Sequence, residues 1–352
     1  MKEVLNKFDE INRRLTEGAI EECGMGLLNG KLGLCIYFFH LARQTGKAEY
    51  QEMAENLISE VYENLGKNKT STDFEMGLAG IGWGISHLVS SGYVDADLDE
   101  ALEELDDEIY VFLVDNIGSV PSNSRNGIIG YIFYCLVRIE HSSKTGNETN
   151  IYIFKKLASE LFNQLGQLIE EEKIQDREPI LFSIYWDLPL ILILISKAKS
   201  LNINRFKLER ILDYLTPILV SLYPNLHSNR LYLLLGMEYA LKEFENSSLR
   251  RHSALLKQSI DVVEVVNTEL KNLNISVSDG VCGLYFISKE LSKITQDETF
   301  LIPAELIGRK INNAICWRDL EFYSPFLKSI GIISGLAGLG LTLLEFIETE
   351  KD

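Results

Sequence analysis

The chain has 352 residues, 46% of them hydrophobic, and a formal charge of −17. That much apolar side chain can bury a large core. The acid excess argues against a nucleic-acid partner, because phosphate backbones are bound by clustered Lys and Arg, and leaves a cationic peptide partner or plain solubility open.

From the start of the chain, Met1–Leu15 is charged and lacks the apolar core of a signal peptide, so export by that route is not expected. Gly30-Lys-Leu-Gly33 then opens a mostly apolar run. The phrase returns as Gly77-Leu-Ala-Gly80, Gly127-Ile-Ile-Gly130, Gly280-Val-Cys-Gly283 and Gly335-Leu-Ala-Gly338. First-glycine spacings are 47, 50 and 55 residues between adjacent copies and 153 between the third and fourth. Three intervals fill that gap, so two further copies without glycines are expected at the apolar runs Phe182–Ile195 and Leu231–Leu241.

The units are helical by period. After Gly77, residues Leu78, Ile81, Ile85, Leu88 and Val89 recur at i, i+3/i+4. Between the apolar runs lie amphipathic segments, Glu49–Leu65, Asp97–Val114, Ile151–Ile169 and Ser253–Leu270. Each unit therefore reads as an outer amphipathic helix followed by an inner apolar helix that starts at Gly-x-x-Gly. There the first glycine allows a sharp entry and the second a close backbone approach. Ile330–Leu344 is too short and glycine-rich for a membrane span and reads as a helix buried on all sides. Asp95–Glu108 resembles a calcium loop only at its start, since Glu100 and Asp106 stand where Gly and Glu are required. An acidic helix N-terminus with a solvated face is the simpler reading.

With only seven prolines and no linker-like stretch, residues 1–352 are expected to form one all-α domain of seven outer and seven inner helices. Inner helices that are apolar around most of their circumference favour a closed ring, an α/α toroid, over an open solenoid. Five cysteines (23, 35, 135, 282, 316) include no Cys-x-x-Cys pair, which predicts free thiols in a reducing cytoplasm.

Phe74-Glu-Met-Gly-Leu-Ala-Gly-Ile-Gly-Trp-Gly-Ile-Ser-His-Leu88, with the following Gly92-Tyr-Val-Asp-Ala-Asp-Leu-Asp-Glu100, resembles the second repeat of lanthionine synthetase C-like proteins. Ser334-Gly-Leu-Ala-Gly-Leu-Gly-Leu-Thr-Leu-Leu344 resembles their last. The resemblance implies a toroid of seven inner and seven outer helices. It also implies a bacterial, lantibiotic-type peptide modification in which zinc, held by Cys, Cys and His, binds a peptide thiolate for thioether formation. Such a metal lowers the thiol pKa and positions the nucleophile.

The chain departs from that pattern at the ligands. Ser278-Asp279-Gly280 stands where the family has Cys-His-Gly, and His227-Ser-Asn229 where it has Cys-x-Gly. No cysteine lies between Cys135 and Cys282, so the zinc triad is not found and no metal ligand is assigned. Three readings of His227, Ser278 and Asp279 are open: a substituted metal site, a His227–Asp279 acid/base pair with Ser278 nearby, or polar residues at helix starts, with Ser278 and Asp279 as caps. Asn123, Arg125, Trp186 and Ser278 are candidates for lining a peptide pocket, although turn roles explain Asn123 and Arg125 equally well. Family enzymes often carry His-Gly at the fourth unit, where this chain has Trp186-Asp187 and no histidine. His40 and His87 each lie ten residues past their unit's first glycine, which predicts a structural role. Trp83, among Gly80, Gly82 and Gly84, is expected to pack in the core.

The reading that follows is a protein that binds or presents a peptide, or meets a modification enzyme, without zinc–thiolate chemistry. Its alternative is an active cyclase or other enzyme with an altered site around His227 and Asp279.

Overall fold

A computed structural model of the chain describes residues 2–17, 23–65, 70–270, 275–318 and 324–348. Among these, fourteen longer helices alternate between two layers. The outer layer holds α1 (Lys2–Glu17), α3 (Ala48–Leu65), α5 (Glu103–Asn116), α7 (Glu148–Glu170), α9 (Arg205–Ser221), α11 (Ser247–Gln258) and α13 (Ala304–Asn312). The inner layer holds α2 (Lys31–Thr45), α4 (Leu78–Ser90), α6 (Ile128–Thr145), α8 (Asp187–Ser200), α10 (His227–Glu243), α12 (Val281–Thr295) and α14 (Leu336–Glu348).

The inner helices pack each on the next, and α14 packs back on α2, so the ring is closed. In the outer layer, α1 lies against α13 and against the inner helix α14. This is the expected α/α toroid. Burial explains it: α2 buries residues on every side, Leu32, Leu34, Cys35, Tyr37, Phe38 and Leu41 among them. α3 buries only one stripe, Tyr50, Ala54, Leu57 and Val61.

The glycines have a specific task. The first N–H groups of an inner helix have no partner within the helix. Here they turn back to carbonyls seven residues earlier, as in Lys31 N–H to Gly24 (2.8 Å), Leu78 N–H to Ser71 (2.8 Å), Ile128 N–H to Pro121 (2.7 Å) and Leu336 N–H to Ser329 (2.9 Å). The loop thus folds tightly under its own helix. A Cβ on Gly80 would collide with the Phe74 carbonyl oxygen, and one on Gly283 with that of Val277. Close approach to its own loop, more than to a neighbouring unit, keeps the second glycine.

Several elements differ from expectation. Ser253–Leu270 is not one helix: α11 ends at Gln258, and Asp261 accepts the Val263 and Glu264 N–H groups to start a separate turn that runs into a π-turn at Val265–Glu269. A short side-chain acceptor here competes with helix continuation. Likewise Asp97 caps Leu98–Ala101, and α5 begins afresh at Glu103. The apolar runs Phe182–Ile195 and Ile330–Leu344 become helical only at Asp187 and Leu336. Trp83 is half-buried between Phe74 and His87, its ring stacked 5.7 Å from the His87 ring. The glycines beside it serve other neighbours, Gly82 leaving room for Tyr134 and Gly84 for Leu32.

Most of the acidic run is exposed, but Asp97, Asp99 and Asp106 are engaged in structure. The fully buried Arg138 guanidinium donates to Asp99 (2.9 Å) and Asp106 (2.8 Å), and Tyr134 also bonds Asp106. Among the described residues no helix is long and apolar enough to cross a membrane, and Cys35, Cys135, Cys282 and Cys316 are buried free thiols.

Candidate functional site at the mouth of the ring

The loops that enter the inner helices meet at one face of the toroid. They are tied to one another by backbone hydrogen bonds at one register position, the residue two before the first glycine. Leu28 N–H donates to Glu75 (3.1 Å), Glu75 N–H to Arg125 (2.9 Å), Ser278 N–H to Ile333 (3.0 Å) and Ile333 N–H to Leu28 (3.3 Å). The fourth unit joins through Ile184, whose N–H donates to Ser278 (2.9 Å). That bond links unit four directly to unit six and passes over unit five.

The fifth unit is held differently. The start of α10 is capped by two carboxylates from other segments. Glu178 accepts the N–H groups of Asn225 (2.8 Å) and Leu226 (2.9 Å) and the Asn229 amide (3.1 Å). Glu269 accepts His227 N–H (2.6 Å), Ser228 N–H (3.0 Å) and the Ser228 hydroxyl (2.7 Å). Burial works to raise the Glu178 carboxyl, but the donated N–H groups prevail and hold it below the usual carboxylate range. Carboxylates here do what the glycine loops do elsewhere.

Tyr185 occupies the middle of this face. Ser334 of the seventh unit, Glu75, Arg125 and Asp279 all lie close enough to act on its hydroxyl. The Arg125 guanidinium lies 5.2 Å from the ring centre and 3.8 Å from Glu75, whose Oε1 also accepts from the Asn29 amide (3.0 Å). Burial, and then the Glu75 charge, push the Tyr185 phenol up to about 12, against the opposing pull of Arg125. Residues of the first, second, third, fourth, sixth and seventh units thus converge around one phenol.

The residues singled out from sequence fall into different places. His227 does not share its partners with Asp279. Its Nδ1 accepts the Asp261 N–H (3.2 Å), and its Nε2 lies 3.9 Å from Glu264, in the segment after α11. Asp279 accepts from the Ser276 (2.5 Å) and Ser278 (2.8 Å) hydroxyls. Gly280 fills the N-cap position of α12 and supplies no side-chain cap.

Asn123 caps its own turn, its Oδ1 accepting Arg125 N–H and Asn126 N–H at 3.0 Å each. Arg125 is exposed at the mouth. Trp186 is fully buried with no partner for its Nε1, so it belongs to the core and not to a pocket surface. Its neighbour Asp187 is also buried. Burial raises that carboxyl, while Gln175 N–H (2.9 Å) and the Ser122 hydroxyl (3.1 Å) oppose the rise.

Glu75, Tyr185, Ser334 and Asn29 were not singled out. Glu75 sits at the same offset from its glycine as Arg125 and Ser278, a signal present in the sequence. Tyr185 matches Asn29, Asp279 and Ser334 one position later once α8 is known to start at Asp187.

Residues 21–180 match the family model described as "Lanthionine synthetase C-like protein". No curated protein matches the chain. Among solved structures the chain is similar to one titled "Nisin cyclase", with 13% sequence identity, a TM-score of 0.67, and coverage of 99% of this chain and 94% of that one. At that identity the likeness establishes the fold.

Proposed function

We propose, from the match over residues 21–180 and the shared toroid, that the chain is a member of the lanthionine synthetase C-like family and that it binds a peptide at the mouth without zinc–thiolate chemistry. The single observation that carries this reading is the convergence on Tyr185. A ring, a guanidinium and a carboxylate from separate units offer an apolar face, a donor and an acceptor to an incoming chain. Arg125 and Ser278 lie on the rim with them, and Asn123 sets the turn that carries Arg125.

The donor set at the family's ligand positions does not fit zinc. Ser278 is a weak neutral ligand, Asp279 is already bonded by two serines, and the His227 Nδ1 already accepts the Asp261 N–H. Among the described residues no three His, Cys, Asp or Glu side chains converge for a metal. The buried Cys282 thiol is pushed up to about 12 by burial, the reverse of what a nucleophile requires. The reading places the protein in a bacterial cytoplasm, holding or presenting a peptide to an enzyme of a lanthipeptide-type pathway.

The test is binding of a dehydrated, cysteine-containing peptide to the purified protein, with metal content measured on the same sample. Micromolar binding that weakens at least tenfold in Tyr185→Ala and Arg125→Ala, without stoichiometric zinc, is the expected result. Thioether formation by the protein alone would overturn it. Loss of that activity in His227→Ala and Asp279→Ala would then establish the altered enzyme site instead.

A further inference from the structure

On the outer layer a small cleft of about 290 Å³ is lined by Asn267, Leu306, Arg309, Lys310, Asn313 and Arg318. In a chain where acids outnumber Lys and Arg by 51 to 34, this lining contains, among the described residues, three cations and no acid. Among the described residues, none of the three forms an ion pair. The Lys310 ammonium donates to the Leu270 carbonyl (3.1 Å), which leaves two of its N–H bonds to spare. Burial holds that amine below its usual range, so an anion beside it restores what desolvation removes.

Helix polarity explains part of this arrangement and not the rest. Arg309 and Lys310 stand in the last turn of α13, where cations are favoured by the helix dipole. Arg318 lies beyond the helix, after the turn Ile315–Trp317, and Asn267 comes from the π-turn between α11 and α12. Separate segments therefore bring positive charge and an amide to one place. Asn267 is two residues from Glu269, which caps α10, so the cleft lies toward the same face of the ring as the mouth.

We propose that this cleft binds an acidic segment of a polypeptide, its carboxylates paired with Arg309, Lys310 and Arg318. One feature favours peptide carboxylates over a compact phosphate. Arg309 and Arg318 are exposed along the rim, so the charge is spread out and suits several anionic groups borne on one chain. The inference goes beyond the mouth reading and stands without it.

The experiment is fluorescence anisotropy of a labelled hexaglutamate peptide at low and moderate salt. Wild-type protein should bind it with an affinity that falls as salt rises. The double variant Arg309→Glu/Arg318→Glu should bind at least tenfold more weakly with only a small fall in unfolding midpoint, and Arg309→Gln/Arg318→Gln should be intermediate. Arg125→Ala, which alters the mouth, should leave hexaglutamate binding unchanged. Equal binding by wild type and both double variants, no binding by wild type at low salt, or complete displacement by inorganic phosphate at matched ionic strength would each overturn the proposal. So would loss of binding in Arg125→Ala alone, which would move the site to the mouth.

Discussion

Ile184 and Ser278 are joined by a backbone hydrogen bond of 2.9 Å that takes the fourth entry loop past the fifth to the sixth. The consequence is a mouth built from six loops, with Tyr185 beside that bond and the start of α10 given over to the capping carboxylates Glu178 and Glu269. The unit that has lost its glycines keeps its helix by a different set of acceptors.

That substitution is testable at Glu269. Its carboxylate accepts three bonds from the first turn of α10, two of them from backbone N–H groups. Glu269→Ala should destabilise the protein by about 2 kcal/mol, the scale of a lost cap that also carries charge. Glu269→Gln should cost less, because one amide oxygen still accepts. Urea unfolding should show the midpoint fall with little change in slope. A midpoint that does not move would mean that Glu178 alone closes this helix start.

The glycine loops make a second, sharper prediction. Gly80→Ala drives a methyl into the Phe74 carbonyl, whereas Gly118→Ala adds one where nothing lies within 4 Å. The first should cost about 3 kcal/mol, an overpacking penalty against rigid backbone. The second should stay within about 0.5 kcal/mol of wild type. Comparable thermal midpoints for the two variants would refute the tight-loop account.

At the opposite end of the inner helices, the His40 and His87 rings stack 6.0 Å apart. Burial first, and then the neighbouring His87, bring His40 down from 6.5 to about 4. A folded state that resists protonation loses stability when the unfolded chain takes the proton. The His40 contribution is therefore complete above pH 6.5 and declines as pH falls toward 4. A His40→Phe variant should show a shallower decline over that window in urea midpoints. NMR titration of His40 with a midpoint near 6.5 would contradict the burial argument.

The ring was legible in the sequence because its cause repeats: wherever a loop tucks under its own helix, two glycines are needed at fixed spacing. Helix boundaries were legible only where that cause operates. At α8 and α10 the apolar run overlaps the inner helix, but the start of α10 depends on Glu178 and Glu269, which come from other segments, and Asp187 at the start of α8 bonds Ser122 and Gln175. The break at Ser259–Asp261 was missed because the amphipathic period continues through it, while Asp261 captures the next N–H groups. At the mouth, Arg125 and Ser278 could be found from their offset to a glycine. Trp186 was chosen one residue too late, and at a loop-to-helix junction one residue separates the buried core from the open face where Tyr185 stands. Its meeting with Ser334 arises only because the ring closes, bringing the fourth and seventh units together across the axis.

That closure also governs how the molecule can be made. An open stack of helical hairpins gains neighbours one by one as the chain emerges, but here α2 needs α14 as its second flank. Until Leu336–Glu348 has been synthesised, the apolar side of Lys31–Thr45 that will meet it has no cover. The half-built ring is therefore the species most exposed to aggregation, and the last inner helix completes folding for the first.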